Sequence, residues 1–161
     1  MAKDKNVTLA AEYFDKAVKS QVKGKIETAI ENYRTSIEIF PTAETHVFLG
    51  IAYSLRGYFD EAISECKIAI SLRSDFGMPY NNIGEYLISL GKTDEAISWL
   101  EKALTFKDCI LNYQTYFNLG KIYEKKWDCL RALRFYNHSL DFYPDFDEAQ
   151  NAIIRISALM N

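Results

Sequence analysis

Residues 43–76 read AETHVFLGIAYSLRGYFDEAISECKIAISLRSDF, and the spacing of small residues in this stretch recurs along the chain. Gly50, Gly57 and Ala62 each belong to a series whose members are 33, 34 and 36 residues apart. Three separate positions that shift by the same amounts are not a compositional accident. Such a period predicts an array of similar supersecondary units stacked side by side. The series are Ala17, Gly50, Gly84 and Gly120; Gly24, Gly57, Gly91 and Trp127; and Ala29, Ala62, Ala96 and Ala132.

Each half of the quoted stretch predicts one α-helix. The residues before Gly57 space their apolar and small side chains as on a helix with a broad apolar face, not as on an alternating strand. Gly57 then ends the helix, because glycine takes a left-handed conformation without a Cβ clash. The residues from Phe59 to Ile70 repeat the helical spacing. We therefore predict an all-α chain with helices near residues 10–23, 26–39, 43–56, 59–72, 77–90, 93–106, 113–126, 128–142 and 147–160.

The repeated residues resemble the tetratricopeptide repeat (TPR) family over roughly residues 10–160. Its pattern has a bulky residue, Leu-Gly and Tyr on the first helix, and Ala, an aromatic residue, Ala and Pro on the second. The fourth copy matches this pattern in Tyr116, Leu119, Gly120, Tyr123, Ala132, Tyr136, Ser139 and Pro144. The resemblance implies a TPR α-solenoid of four helix-turn-helix repeats plus a C-terminal capping helix. Its parts are an N-terminal extension (1–9), repeats at about 10–42, 43–76, 77–110 and 113–146, and a capping helix at 147–160.

Two residues depart from the family pattern. Lys16 stands where the pattern has leucine, which is reasonable if that position normally packs against a preceding repeat. Trp127 replaces the turn glycine, and two residues are added between Ala103 and Gly120. These changes predict a distorted junction between the third and fourth repeats.

The resemblance also implies a groove for a ligand, because the first helix of each TPR repeat lines the concave wall of the array. The N-terminal half of this groove is mostly apolar and its C-terminal half mostly polar. The predicted peptide-binding residues are Phe14, Val18, Val47, Ile51, Leu55, Asn81, Asn82, Glu85, Asn118, Lys121 and Lys125.

Asn82 and Asn118 are candidates for holding a peptide backbone, because an asparagine amide both donates and accepts hydrogen bonds. The alternative is that they satisfy local backbone groups. The apolar half has an alternative as well, in which residues 1–9 or a helix of another copy cover it. The carboxylate clamp of some TPR domains is not expected, since Phe14 and Val18 stand where it requires lysine and asparagine.

No constellation in the sequence predicts catalysis, a cofactor or a metal. His46 and His138 are the only histidines, and they fall on different repeats. The glycine that a phosphate-binding loop would need before Gly91-Lys92-Thr93 is absent. Cys66 is expected in the core, and Cys109 in the linker is expected to be a free thiol. The protein is therefore predicted not to be an enzyme.

The charge and hydropathy of the sequence argue against two further classes of partner, nucleic acids and membranes. The net charge of the 161 residues is −3, and acidic and basic residues are mixed along all four repeats. This distribution argues against nucleic-acid binding. No apolar run is long enough for a membrane span or a signal peptide, so a cytoplasmic protein is expected.

The sequence thus favours a non-catalytic scaffold or adaptor that binds a peptide or protein segment in its concave groove. One alternative is a structural protein that self-assembles through its terminal helices. Another is a chaperone-like protein dedicated to secretion or assembly, which the residues do not separate from a general adaptor.

Overall fold

The computed structural model describes residues 2–106 and 112–160. Over these residues the chain forms nine α-helices and no strand, which confirms the predicted all-α class. The helices are α1 (Ala2–Val22), α2 (Ile26–Ile39), α3 (Ala43–Leu55), α4 (Phe59–Leu72), α5 (Gly77–Ser89), α6 (Thr93–Ala103), α7 (Asn112–Lys125), α8 (Cys129–Phe142) and α9 (Asp147–Met160).

The helices pair in sequence order and the pairs stack. The helices of each repeat contact each other (α1 with α2, α3 with α4, α5 with α6, α7 with α8), and each pair also contacts the next. The last helix, α9, packs against α8. This arrangement is an α-solenoid with four repeats and a C-terminal cap, as predicted.

The start of the first helix differs from the sequence prediction. Helix α1 begins at Ala2 and not near residue 10, so the residues expected as a separate extension continue the helix. No proline or glycine lies between residues 2 and 9 to end it. Thr8 bonds back to the carbonyl of Asp4 (2.9 Å), in the i−4 pattern of a regular helix.

Small residues allow the two helices of a repeat to approach closely. Ala62 and its counterparts Ala29, Ala96 and Ala132 are completely buried. A Cβ atom added at Gly84 would lie 2.5 Å from the Leu100 side chain, far inside van der Waals contact. The glycine and alanine series of the sequence therefore mark the helix–helix contacts of the repeats.

The first and last repeats share hydrogen bonds that the two middle repeats lack. In the first repeat, the hydroxyl of Tyr33 donates to Gln21 Oε1 (3.1 Å). In the fourth, the hydroxyl of Tyr136 donates to Glu124 Oε2 (2.6 Å), and burial raises the pKa of Tyr136 far above its usual value. Serines at equivalent positions of the same two repeats also form matching bonds. Ser36 donates to the Ala10 carbonyl (2.8 Å) and Ser139 to the Tyr113 carbonyl (2.7 Å).

Apolar residues take these places in the middle repeats, where Cys66 and Leu100 replace the tyrosines. Cys66 is completely buried, which confirms its predicted core position. Burial, with a smaller effect from the Glu65 carboxylate, raises the pKa of the Cys66 thiol to about 12, so it stays protonated at neutral pH. The thiol predicted at Cys109 lies outside the described residues.

The turns between paired helices use left-handed backbone. Gly24, Gly57 and Gly91 have φ angles of 72°, 78° and 76°, and Trp127 takes the same conformation in the fourth repeat, with φ 60°. A bulky side chain is strained in this region because its Cβ approaches the carbonyl oxygen. The Trp127 side chain is 83% exposed, so little burial compensates for the strain.

Replacing Trp127 with glycine should therefore stabilise the fold. Relief of the left-handed strain contributes about 1–2 kcal/mol. The greater conformational freedom of glycine in the unfolded chain reduces this stabilisation by about 0.5–1 kcal/mol. We expect the free energy of unfolding to rise by about 0.5–1 kcal/mol in urea denaturation. Gly91→Ala, which adds a Cβ at an equivalent left-handed turn, should lower the free energy of unfolding. A loss of stability in Trp127→Gly would contradict this account.

Candidate peptide-binding groove

The first helices of the repeats form one continuous wall. Helix α3 contacts α5, and α5 in turn contacts α7, so alternate helices meet on this side of the array. This is the expected arrangement on the concave side of a curved stack. We call the exposed side of these helices the inner wall; the predicted groove residues lie on or just beneath it.

The N-terminal part of the inner wall is aromatic and aliphatic. Phe14 packs edge-to-face on Phe48, with ring centroids 5.2 Å apart, and both rings approach Tyr33. The three rings pack into one aromatic cluster, and Phe14 and Phe48 keep part of their surface exposed. Val18 and Ile51 are also half-buried, and Leu55 is exposed.

Val47 does not belong to the exposed wall. Its side chain is 0% exposed and packs with Ala43 and Ala69 between α3 and α4. It therefore supports the wall from behind and is not available to a ligand, which corrects its predicted role. Phe48, one residue further around the helix, presents the exposed apolar surface instead.

The predicted asparagines lie just beneath the surface. Asn81 is completely buried, and its Oδ1 accepts a hydrogen bond from the Thr115 hydroxyl (2.8 Å), which joins the third and fourth repeats. Like Val47, it is therefore not available to a ligand, which corrects its predicted role. Asn82 and Asn118 are only 6% and 4% exposed. The buried Nδ2 of Asn82 has no hydrogen-bond partner, and neither has that of Asn81.

The C-terminal part of the wall is charged. Glu85 and Lys125 are exposed, and the half-buried Lys121 places its Nζ 5.7 Å from the centroid of the Phe117 ring. Neither lysine forms an ion pair with any residue that the structure describes. Both cations thus remain available to an acidic group.

Arg155 of α9 also reaches this region, although it is absent from the predicted groove residues. Its Nε and Nη2 bond the two oxygens of Glu124 at 2.9 Å each, while Tyr136 donates to the same carboxylate. The signal was present in the sequence, since Arg155 lies 34 residues after Lys121 and so occupies the same place in the repeat.

The remaining polar clusters do not add a reactive centre. His46 Nδ1 lies 2.6 Å from Glu65, and His138 Nδ1 lies 3.1 Å from Asp141, in different repeats. Over residues 2–106 and 112–160, no three His, Cys, Asp or Glu side chains are grouped to hold a metal ion. None of the helices described has both the length and the apolar character to cross a membrane.

The fold and its inner wall define an α-solenoid repeat protein. The family model for the tetratricopeptide repeat matches residues 79–108, which is the third repeat. This match shows a tetratricopeptide motif in the third repeat, and the solved structures described next share the TPR fold. Members of this family are generally non-catalytic modules that bind other proteins or peptides. No curated protein sequence matches the chain significantly.

Solved TPR structures share the fold. PilF of Pseudomonas aeruginosa superposes with a TM-score of 0.86 at 19% identity, covering 97% of this chain and 69% of that protein. YrrB, described as a TPR protein with an unusual peptide-binding site, gives 0.72 at 21% identity, covering 89% and 73%. The second TPR of Spaghetti (RPAP3), bound to an HSP90 peptide, gives 0.62 at 26% identity, covering 66% and 100%.

Proposed function

We propose that this protein binds an extended peptide or protein segment along its inner wall and catalyses no reaction. The observation that carries the proposal is the unpaired Nδ2 of Asn82, on an inner wall whose N-terminal part has half-buried apolar side chains. The peptide-binding site named for YrrB and the HSP90 peptide bound to the second TPR of Spaghetti support the same use of the fold.

Asn82 supplies the polar part of this binding. A buried amide nitrogen without a partner costs free energy, so a ligand that satisfies it gains more than one that meets a solvated group. A backbone carbonyl of the segment would accept a hydrogen bond from this nitrogen regardless of the ligand's side chains.

The apolar and charged parts of the wall supply the remaining affinity. A micromolar complex needs about 8 kcal/mol, and burial of one large apolar side chain against Phe14, Phe48 or Ile51 gives about 1.5–3 kcal/mol before ordering costs. The free cations of Lys121 and Lys125 favour acidic residues at the other end of the segment. The preferred ligand is therefore apolar at one end and acidic at the other.

Replacing Asn82 with alanine should weaken binding without loss of stability. Twelve-residue peptides selected from a random display library provide the ligand, with affinity measured by fluorescence anisotropy. We expect a loss of about three- to tenfold, the worth of one hydrogen bond. The melting temperature should not fall, because the substitution removes a buried donor that has no partner.

Asn137→Ala is the matched control, because Asn137 is exposed on α8 and donates only to the Leu133 carbonyl of its own helix. Its binding should equal that of the unmodified protein. Selected peptides whose affinity is unchanged in Asn82→Ala, Phe48→Ala and Lys121→Ala alike would exclude the inner wall as the binding surface.

Self-association through the capping helix is a second candidate. Ile154 and Leu159 are exposed on α9, whereas the outer face of a terminal helix is normally polar. At the other end of the array α1 exposes Leu9 beside the charged Glu12 and Lys16, and these charges favour pairing of two α9 helices over contact between α9 and α1. Light scattering at two concentrations tests this, and a strict monomer would exclude it.

Two further predictions from the sequence stay proposals. A cytoplasmic location fits the mixed surface charge, and a role as a secretion or assembly chaperone fits the proposed capture of a partner segment.

A further inference from the structure

A pocket opens where the second to fourth turns of α1 pass the start of α3. Helix α1 has 21 residues, compared with 13 in α3 and in α5, so its N-terminal part extends beyond the other first helices. The pocket has a volume of about 270 Å³. Its lining residues come from α1, the end of α2 and the start of α3: Val7, Ala10, Ala11, Phe14, Ser36, Phe40, Thr42, Glu44 and Thr45.

The polar side chains around the pocket are all engaged. Ser36 donates to the Ala10 carbonyl (2.8 Å), and the hydroxyls of Thr42 and Thr45 bond each other (2.8 Å). The Glu44 carboxylate forms an ion pair with Arg73. Each of these polar side chains thus already has a partner within the protein, and the rest of the lining is apolar. A charged or polar occupant would therefore lose its own hydration with little compensation. An uncharged apolar group is the complementary occupant.

The pocket is continuous with the inner wall. Phe14 lines the pocket and also packs on Phe48 of the wall. A segment lying along the wall can therefore place one side chain in the pocket. The volume is below the roughly 300–1,000 Å³ of small-molecule sites and about nine times the roughly 30 Å³ of one water, which suits a single large side chain.

We propose that this pocket anchors one leucine, methionine or phenylalanine side chain of the bound partner segment and thereby sets its register on the wall. The proposal rests on the proposed function, because it presupposes that the segment lies along the inner wall. It adds a specificity site that involves Val7, Ala10 and Ala11, which lie outside the predicted groove residues.

Filling the pocket tests the proposal. Ala11→Phe projects a ring into the space, and Ala158→Phe, at an exposed alanine of α9, is the matched control. The ligands are the twelve-residue peptides selected on the unmodified protein, together with variants in which each apolar residue is changed to alanine. One such change should weaken binding about ten- to a hundredfold, the worth of one buried large side chain. Ala11→Phe should weaken the parent peptide equally.

Combining Ala11→Phe in the protein with the alanine substitution in the peptide tests whether the peptide side chain occupies the pocket. If the side chain occupies the pocket, Ala11→Phe protein should bind the parent and the alanine-substituted peptide with the same affinity. Independent, additive losses would overturn the proposal. Val7→Asp, which puts a charge at the mouth of the pocket on an exposed turn of α1, repeats the test in case Ala11→Phe does not fold.

A second readout separates the pocket from the wall. N-acetyl-phenylalaninamide is titrated while the methyl signals of Val7, Ala10 and Ala11 are followed by NMR. Shifts of these signals, together with non-additive losses of affinity in the peptide measurements, support the anchor. Peptide binding that depends on Asn82 but not on Ala11 overturns the anchor and leaves the proposed function standing. Shifts without peptide binding to the wall overturn the proposed function. Self-association that Ala11→Phe abolishes would assign the pocket to a second copy and overturn the proposal.

Discussion

Replacing Ile156 with alanine is expected to lower the free energy of unfolding by about 2–5 kcal/mol, the cost of a cavity at a fully buried isoleucine. Ile156 is 0% exposed and packs with Ala132, Tyr136 and Ala152, so it joins the capping helix α9 to the fourth repeat. Without its side chain, α9 loses much of the apolar contact that holds it on α8. Urea denaturation followed by circular dichroism measures the effect.

Ile154→Ala is the matched control, because it is the same substitution two residues earlier in the same helix. Ile154 is 67% exposed, so its loss should change the free energy of unfolding by less than about 0.5 kcal/mol. Equal losses of unfolding free energy in the two variants would show that α9 does not pack on the fourth repeat through the face that contains Ile156. A clear difference would establish the cap independently of any ligand.

The second large effect is expected at the contact of Leu100 with Gly84 in the third repeat. Leu100 is completely buried, and Leu100→Ala should cost about 2–5 kcal/mol. Gly84→Ala should cost about 1–3 kcal/mol, because the new methyl group would lie 2.5 Å from Leu100 Cγ and Cδ2.

The double variant shows whether this contact is the reason for the glycine. Once Leu100 is alanine, the methyl group at position 84 has room, and the better helix propensity of alanine adds about 1 kcal/mol. Gly84→Ala should therefore be neutral or stabilising in that background, giving a coupling energy of about 1–3 kcal/mol. If Gly84→Ala lowers the free energy of unfolding equally in both backgrounds, contact with Leu100 is not the reason for the glycine.

Most of the fold could be predicted because the repeat imposes its contacts several times. The glycine and alanine series marked where helices approach and where turns become left-handed, and the structure places Gly57 and Ala62 accordingly. The start of α1 could not be read in this way. Residues 2–9 precede the first copy of the pattern, and only the absence of a helix breaker indicated that the helix would continue.

The groove was less predictable, because a family register gives the face of a helix only to within about one residue. Val47 and Phe48 differ by one position, and packing against α4 buries the first while the second remains half-exposed. Arg155 could have been found from the repeat spacing if α9 had been treated as a further first helix. The pocket beside Val7 and Ala11 depends on the length of α1, which the repeat pattern does not contain.

The tyrosine and serine hydrogen bonds make the first and fourth repeats chemically distinct from the second and third. Cys66 and Leu100 fill the same places by apolar packing, so a duplicated middle unit would meet surfaces of the kind it already fits. An array with more middle repeats can thus arise by gene duplication in the interior, with the hydrogen bonds of the first and fourth repeats unchanged.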